Sequence, residues 1–207
     1  MKLRWLVATL ILLAVVAACA AADDINPPWW RKLAGTTFAK WEFGTADTKP
    51  APDAVFNPNG LPVAEIFPGH AWNREYAGRL GVWPLSGLIV IDIPNYGPPN
   101  PYKLVWIQIT WTSESPYAEP VVDELLFKGR AELVQRVQVG PVGAAPWWHD
   151  TYLLKIVPNP TREVLRVQGA VWVDEVVVDT YCVPEPSTAV AFGSLAGLLG
   201  FALRRRR

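Results

Sequence analysis

The chain is poor in cysteine, histidine and methionine. It has two Cys, two His and one Met in 207 residues. Cys19 lies in a stretch that we expect to be removed, which leaves Cys182 without an intramolecular disulfide partner. No zinc-ligand spacing and no Cys–His pair is present. Cys182 is therefore predicted to be a small buried hydrophobe or, alternatively, a bridge between chains.

The chain also lacks an excess of charge. Charged residues make up only 18% of it, and the formal net charge is zero. Without residues 1–22 and 188–207, the body keeps 13 basic and 19 acidic residues, a net charge of −6. Nucleic acid needs a basic surface, so we expect no nucleic-acid partner. Apolar residues at 51% exclude a disordered chain.

What the chain has in plenty is Trp, Pro and Gly, at 11, 20 and 15 residues. Short β-branched and aromatic stretches alternate with Pro and Gly, which predicts an all-β domain of nine or ten strands. We expect an antiparallel β-sandwich, jelly-roll-like, over residues 36–182, after an irregular leader at 23–35. The strongest strand stretches are 37–43, 86–96, 102–113, 121–127, 131–139, 148–157, 162–168 and 169–181.

The stretch 102–113 has the clearest period of two. Its inward positions are predicted to be Val105, Ile107, Ile109 and Trp111. The opposite face then carries Tyr102, Leu104, Trp106, Gln108 and Thr110.

The first 22 residues have the pattern of a secretory signal peptide. Lys2 and Arg4 precede an apolar stretch from Leu6 to Ala18, and the small residues Ala20 and Ala22 mark the cleavage site. Two alternatives are an uncleaved anchor and a lipoprotein modified at Cys19.

The other end is apolar too. Residues 188–203 are sixteen uncharged residues with three glycines. As a helix they would span about 24 Å, somewhat less than the ~30 Å of the hydrocarbon core. By the positive-inside rule, the arginine cluster at 204–207 stays cytoplasmic; it consists of Arg204, Arg205, Arg206 and Arg207. We therefore predict a single transmembrane helix that stops transfer.

The residues before this helix are Val183, Pro184, Glu185, Pro186 and Ser187. This motif, an apolar helix and an arginine cluster, in that order, resemble the PEP-CTERM sorting signal of exported bacterial proteins. The resemblance implies passage through the Sec translocon, then cleavage at 183–187 by an exosortase, a membrane-embedded cysteine protease. It also implies that the protein is held transiently in the membrane and is then located at the cell surface or in a polysaccharide matrix. The alternative is a plain C-terminal anchor with a Pro-rich stalk.

Two stretches of the body add to this. Planctomycete-type exported PEP-CTERM proteins have similar stretches to Trp41-Glu42-Phe43 and the strand Val171–Val178 of this chain. The resemblance implies a sandwich fold and a cellular location but no biochemical role. The chain is more loosely similar to carbohydrate-binding jelly rolls.

No motif in the chain supports a reaction class, and we predict that the body is not an enzyme. His70 and His149 lack a nucleophile motif beside them. A polysaccharide hydrolase stays open as an alternative, because glycosidases need only two carboxylates at working distance. The candidate acids are Glu42, Glu65, Glu114, Glu119, Asp123 and Asp174.

Two binding sites are also predicted. Jelly-roll modules often hold a structural Ca²⁺ where the first and last strands meet, and Glu42 and Asp174 are the matching positions; the alternative is that both face solvent. Sugars stack on exposed aromatic rings held on a rigid surface. The predicted sugar-contacting residues are Tyr102, Trp106, Gln108, Trp147 and Trp148, with Trp29 and Trp30 next.

Taken together, the sequence predicts an exported, non-catalytic envelope or matrix protein whose body interacts with carbohydrate. A structural or self-associating surface protein without a small ligand is the main alternative. No cofactor is expected beyond the structural Ca²⁺.

Overall fold

A computed structural model describes residues 24–95, 100–140 and 146–184. The predicted signal peptide, transmembrane helix and arginine cluster lie outside these residues, as does most of the sorting motif. The described residues form twelve β-strands and no α-helix, which confirms the all-β prediction. Accordingly, this part of the chain holds no helix long and apolar enough to cross a membrane.

The strands follow one another with short connections. Their bounds are β1 Thr36–Trp41, β2 Ala54–Phe56, β3 Val63–Phe67, β4 Asn73–Tyr76, β5 Arg79–Leu85, β6 Leu88–Pro94, β7 Tyr102–Thr112, β8 Val121–Glu124, β9 Glu132–Val139, β10 Trp147–Ile156, β11 Arg162–Gln168 and β12 Val171–Val183.

The strands form two antiparallel sheets. The larger has eight strands in the order β2-β1-β12-β7-β10-β9, with β5 paired to the start of β12 and β4 paired to β5. The smaller has four strands in the order β3-β6-β11-β8. The thirteen-residue strand β12 lies in the middle of the larger sheet, with β1 and β5 on one side and β7 on the other.

One hydrophobic core joins the two sheets. Val105, Ile107, Ile109 and Trp111 of β7 are buried in it, as the alternation predicts. The smaller sheet contributes Ile89, Ile91 and Ile93 of β6 and Leu165 and Val167 of β11 to the same core. Two sheets that share a core in this way have the layered arrangement of a β-sandwich. The jelly-roll topology stays a prediction.

A bulge in β12 sets which of its side chains face the core. The register against β7 shifts between Val173 and Glu175, so Val173 and Val176 both point inward although they are three residues apart. Asp174 and Glu175 therefore meet charged partners from neighbouring elements instead of the core.

Candidate functional site

The leader covers the outer face of the larger sheet. Its backbone is irregular, and the middle of β7 holds it in place. Trp106 Nε1 donates to the Asn26 carbonyl at 2.8 Å, and the Asn26 amide donates to Gln108 Oε1 at 2.9 Å. Gln108 Nε2 in turn donates to Asp24 at 2.8 Å. These bonds dock the leader onto the face that alternation predicts to be open.

Arg31 fixes the other half of the leader. Its guanidinium donates two hydrogen bonds to the two carboxylate oxygens of Asp179 on β12, at 2.6 and 2.5 Å, and two more to Asp24. Burial would raise the pKa of Asp24, but hydrogen bonds from Arg31 and Gln108 hold it below its usual range. Burial raises the pKa of Asp179 to about 6, despite its pairing with Arg31. A bidentate pair of this kind fixes orientation as well as distance.

Aromatic rings complete the docking. Trp30 packs between Trp106, with ring centroids 5.8 Å apart, and Tyr181, at 6.2 Å. Trp29 behaves differently, because it is 77% exposed while its edge contacts Trp30 and Tyr181. Trp30 therefore anchors the leader. The indole ring of Trp29 faces solvent and is held in position by Trp30 and Tyr181.

The structure shows where the five predicted sugar-contacting residues lie. Gln108 is buried beneath the leader, and Trp106 and Tyr102 are half-buried. Trp147 lies on β10 rather than on a loop, is buried, and donates from Nε1 to the Ala77 carbonyl at 3.0 Å. Trp148 is half-buried against the core. The open aromatic face predicted on β7 is thus covered, and sugar contact by these five residues stays a prediction.

The two histidines have different surroundings. His149 is buried beneath the leader, with Nε2 at 3.1 Å from Gln108 Oε1 and Nδ1 at 3.0 Å from Thr110 Oγ1. It belongs to the network that holds the leader, so its role is positional. His70 is exposed and lines a shallow cleft of about 290 Å³ together with Ser86, Ser113, Glu114, Ser115 and Trp172.

The predicted calcium ligands have protein cations as partners. Glu42 pairs with Lys40 at 2.5 Å, and Lys40 also pairs with Glu175 at 3.1 Å. Asp174 pairs with Arg79 at 2.5 Å. Among the described residues, no group of three or more His, Cys, Asp or Glu side chains is placed to hold a metal ion. Ca²⁺ binding at Glu42 and Asp174 stays a prediction.

The remaining candidate carboxylates are engaged as well. Glu65 pairs with Lys49 at 2.8 Å, and Glu114 accepts a hydrogen bond from the Tyr76 hydroxyl at 3.0 Å. Glu119 pairs with Arg136 and Asp123 with Arg166, both at 2.5 Å. Each of the six acids named as hydrolase candidates thus accepts a bond from a neighbouring side chain, which is how surface carboxylates tie strands together.

A second shallow cleft, of about 360 Å³, is lined by Asp123, Glu124, Lys128, Arg130 and Arg166. Glu124 is buried and accepts bonds from the backbone amides of Phe127 and Val164, at 2.5 and 3.3 Å. Asp123 is held by Arg166 through two hydrogen bonds. The two carboxylates in this cleft therefore serve the local fold.

The sorting motif begins inside the fold. Val183 is the last residue of β12 and pairs with Tyr102 at the start of β7. Pro184 follows directly as the last described residue. The junction between the folded body and the motif therefore contains no spacer.

Comparison with known proteins bears on this end of the chain. Residues 183–207 match the PEP-CTERM protein-sorting motif. No curated protein matches the chain. The motif belongs to exported proteins that are sorted by an exosortase, held in the membrane and then displayed at the surface. The chain therefore carries the PEP-CTERM sorting motif in its last 25 of 207 residues.

Proposed function

We propose that the body of this PEP-CTERM protein is a non-catalytic structural component of the cell surface or extracellular matrix. The observation that carries the proposal is the junction at Val183, where the middle strand of the larger sheet continues into the sorting motif. Sorting thus acts directly on the sandwich, and the sandwich is what the cell displays.

The use of charge in the body supports this role. Arg31 joins the leader to β12 through Asp179. Arg136 of β9 joins β10 through Asp150 at 2.7 Å and the loop before β8 through Glu119. Such pairs fix strands and segments relative to one another, and buried or networked pairs contribute more than isolated surface pairs.

The test separates a structural role from a catalytic one. A strain that lacks the protein would be complemented with the wild-type chain, with a His70→Ala/Glu114→Gln variant that alters the His70 cleft, or with a Pro184→Ala/Pro186→Ala variant of the motif. We expect the cleft variant to restore the surface layer or matrix. The motif variant should stay in the membrane, and its intact mass should show that the arginine cluster is still attached. Failure of the cleft variant alone would favour the hydrolase.

Self-association is the simplest way for such a body to build a layer. Strand β9 is an edge of the larger sheet, and its Leu133 and Val134 side chains are exposed. An exposed, unpaired edge strand can add a strand from a second copy. Val134→Lys should abolish oligomers seen by sedimentation, while Val157→Lys, at an exposed residue outside the strands, should keep them. If the wild-type protein stays monomeric at high concentration, assembly through β9 is excluded.

Carbohydrate contact is the second candidate, and the exposed ring of Trp29 favours it. A ring held at its edge by Trp30 and Tyr181 offers a flat, pre-positioned face for sugar stacking. Polysaccharide prepared from the host's own matrix should retain the protein, and Trp29→Ala should reduce retention. Tyr117→Ala is the control, because Tyr117 is 93% exposed, more than Trp29, and lies on another loop. Equal retention of both variants would exclude Trp29 as the contact.

A further inference from the structure

Two oppositely charged side chains meet in the interior of the body. Lys103 lies on β7 of the larger sheet and Glu163 on β11 of the smaller sheet, and both side chains are 0% exposed. The Lys103 ammonium and the Glu163 carboxylate form an ion pair across the core. Among the described residues, neither group receives or donates a hydrogen bond to a third residue. The two sheets are thus joined at this point by one isolated pair of reactive groups.

The residues paired with Lys103 and Glu163 on neighbouring strands carry no charge. The residues directly opposite Lys103 on the neighbouring strands are Ile156 and Cys182, and the one opposite Glu163 is Ile93, all buried. A charged pair without further hydrogen bonds is unfavourable in such surroundings, because its mutual attraction has to offset the lost hydration of both ions. Moving the proton from the ammonium to the carboxylate removes both charges at once.

We propose that Lys103 and Glu163 condense to an amide that links the two sheets covalently. The lone pair of the neutral Lys103 Nζ attacks Cδ of the protonated Glu163 carboxyl group, and an N–C bond forms. The bond from Cδ to the hydroxyl oxygen then breaks, and that hydroxyl leaves with a proton from Nζ as one water molecule. The step needs no oxidant, reductant or activating group, and it replaces two buried charges by one neutral amide.

The surroundings of Glu163 favour its protonated form. Burial raises the pKa of Glu163 to about 7, which Lys103 only partly offsets, and the negative charge of nearby Glu124 acts in the same direction as burial. A protonated carboxyl group is therefore accessible at neutral pH. Cys182 has no second cysteine among the described residues to form a disulfide, so an amide between residues sixty positions apart would be their internal cross-link.

The chain supplies its own control. Lys49 and Glu65 also form a Lys–Glu pair, at 2.8 Å, but their side chains are 62% and 38% exposed. Water hydrates both groups there, so this pair does not lose the hydration that Lys103 and Glu163 lose on burial. The two pairs have the same chemistry and differ in burial, and only the buried pair is expected to condense.

The experiment is a tryptic peptide map of the protein recovered from outside its native host, denatured before digestion. Peptide 80–128 should remain uncut after Lys103 and be joined to the four-residue peptide 163–166, with a mass one water below their sum. Peptide 41–74, which contains both Lys49 and Glu65, should have its unmodified mass.

Two results would overturn the proposal. One is complete cleavage after Lys103 together with a full yield of free peptide 163–166. The other is a cross-link at Lys103 formed with loss of ammonia, which would mean that an asparagine and not Glu163 is the acceptor. Lys103→Met, which keeps the apolar stem but has no amine, should release free peptide 163–166 from the same digest.

Discussion

At the scale of single residues, the informative side chains are polar ones at buried positions. Lys103 is in phase with Val105 and Ile107 of its strand, and Glu163 is in phase with Leu165 and Val167. Alternation therefore places both charges inside the sandwich from sequence alone. It does not tell which strands of the two sheets face each other, so the contact between the two residues becomes visible only in the fold.

Cys182 is the residue whose state the sequence leaves open, as a buried thiol or an interchain bridge. Its side chain is buried and donates from Sγ to Asn95 Oδ1 at 3.1 Å, and burial raises the pKa of the thiol. Because the thiolate is the reactive form, we expect the folded protein to react with a maleimide at least about tenfold more slowly than the unfolded one at pH 8. A non-reducing gel should show no Cys182-linked dimer, and rapid labelling of the folded chain would contradict this expectation.

Arg31 allows a comparison of a half-buried pair with an exposed one. Arg31→Gln leaves Asp179 buried without its cation, so we expect the free energy of unfolding to fall by about 3 kcal/mol. Arg162 pairs with Asp92 at 3.0 Å in an exposed setting, and Arg162→Gln should cost less than about 1 kcal/mol. Urea denaturation of the two variants measures the difference. Equal losses would mean that the leader contributes little to stability.

At the scale of elements, the strands that the sequence predicts are those with long alternating patterns. Each of the eight predicted stretches overlaps one strand of the structure, and the four strands β2 to β5 are missed. Strand β2 has only three residues, all exposed, and β4 is the polar stretch Asn73–Tyr76. Such strands take their conformation from the neighbour they pair with, and local propensity does not reveal them.

Strand β5 is missed for a different reason. It contains Pro84 and also Gly81, whose φ is +77°. A Cβ at Gly81 would lie 2.7 Å from the Phe43 carbonyl oxygen, so both the backbone conformation and the close approach require glycine. The sequence shows Gly81, but it does not show that the backbone at Phe43 packs against it.

Gly81→Ala should therefore lower the free energy of unfolding by about 2 kcal/mol or more, because it adds backbone strain and a contact with main-chain atoms. The control is Gly44→Ala, since a Cβ there meets no atom within 4 Å; its effect should stay within about 0.5 kcal/mol. Thermal melts followed by far-ultraviolet circular dichroism compare the two. A neutral Gly81→Ala variant would contradict the close packing of β5 on the Phe43 segment.

The leader shows how an irregular segment can be part of a core. Trp30 and Trp29 are adjacent, yet one is buried between two rings and the other is mostly exposed. Trp30→Ala should cost about 3 to 5 kcal/mol of stability and open the leader to trypsin at Arg31 and Lys32. Trp29→Ala should cost less than about 0.5 kcal/mol, because few contacts are lost. Limited proteolysis of both variants measures how well the leader is docked. Equal cleavage of the two would argue against Trp30 as the anchor.

At the scale of the whole molecule, the two sheets share one core and so should unfold together. Tryptophan emission, which reports both the leader and the core, and far-ultraviolet circular dichroism, which reports the strands, should give the same denaturation midpoint. Separate midpoints would show that the leader or one sheet unfolds independently. The shared core was predictable from composition and alternation, whereas the eight-to-four division of strands depends on pairings between distant parts of the chain.

The junction at Val183 has a mechanical consequence. While the C-terminal segment is still tethered, any drag on the displayed body reaches it through β12, which is hydrogen-bonded on both sides by β1 and β7. A force applied at the end of that strand loads two ladders in shear, so many bonds resist it simultaneously instead of opening one after another. The fold thus receives tension at a strand that is hydrogen-bonded along both edges.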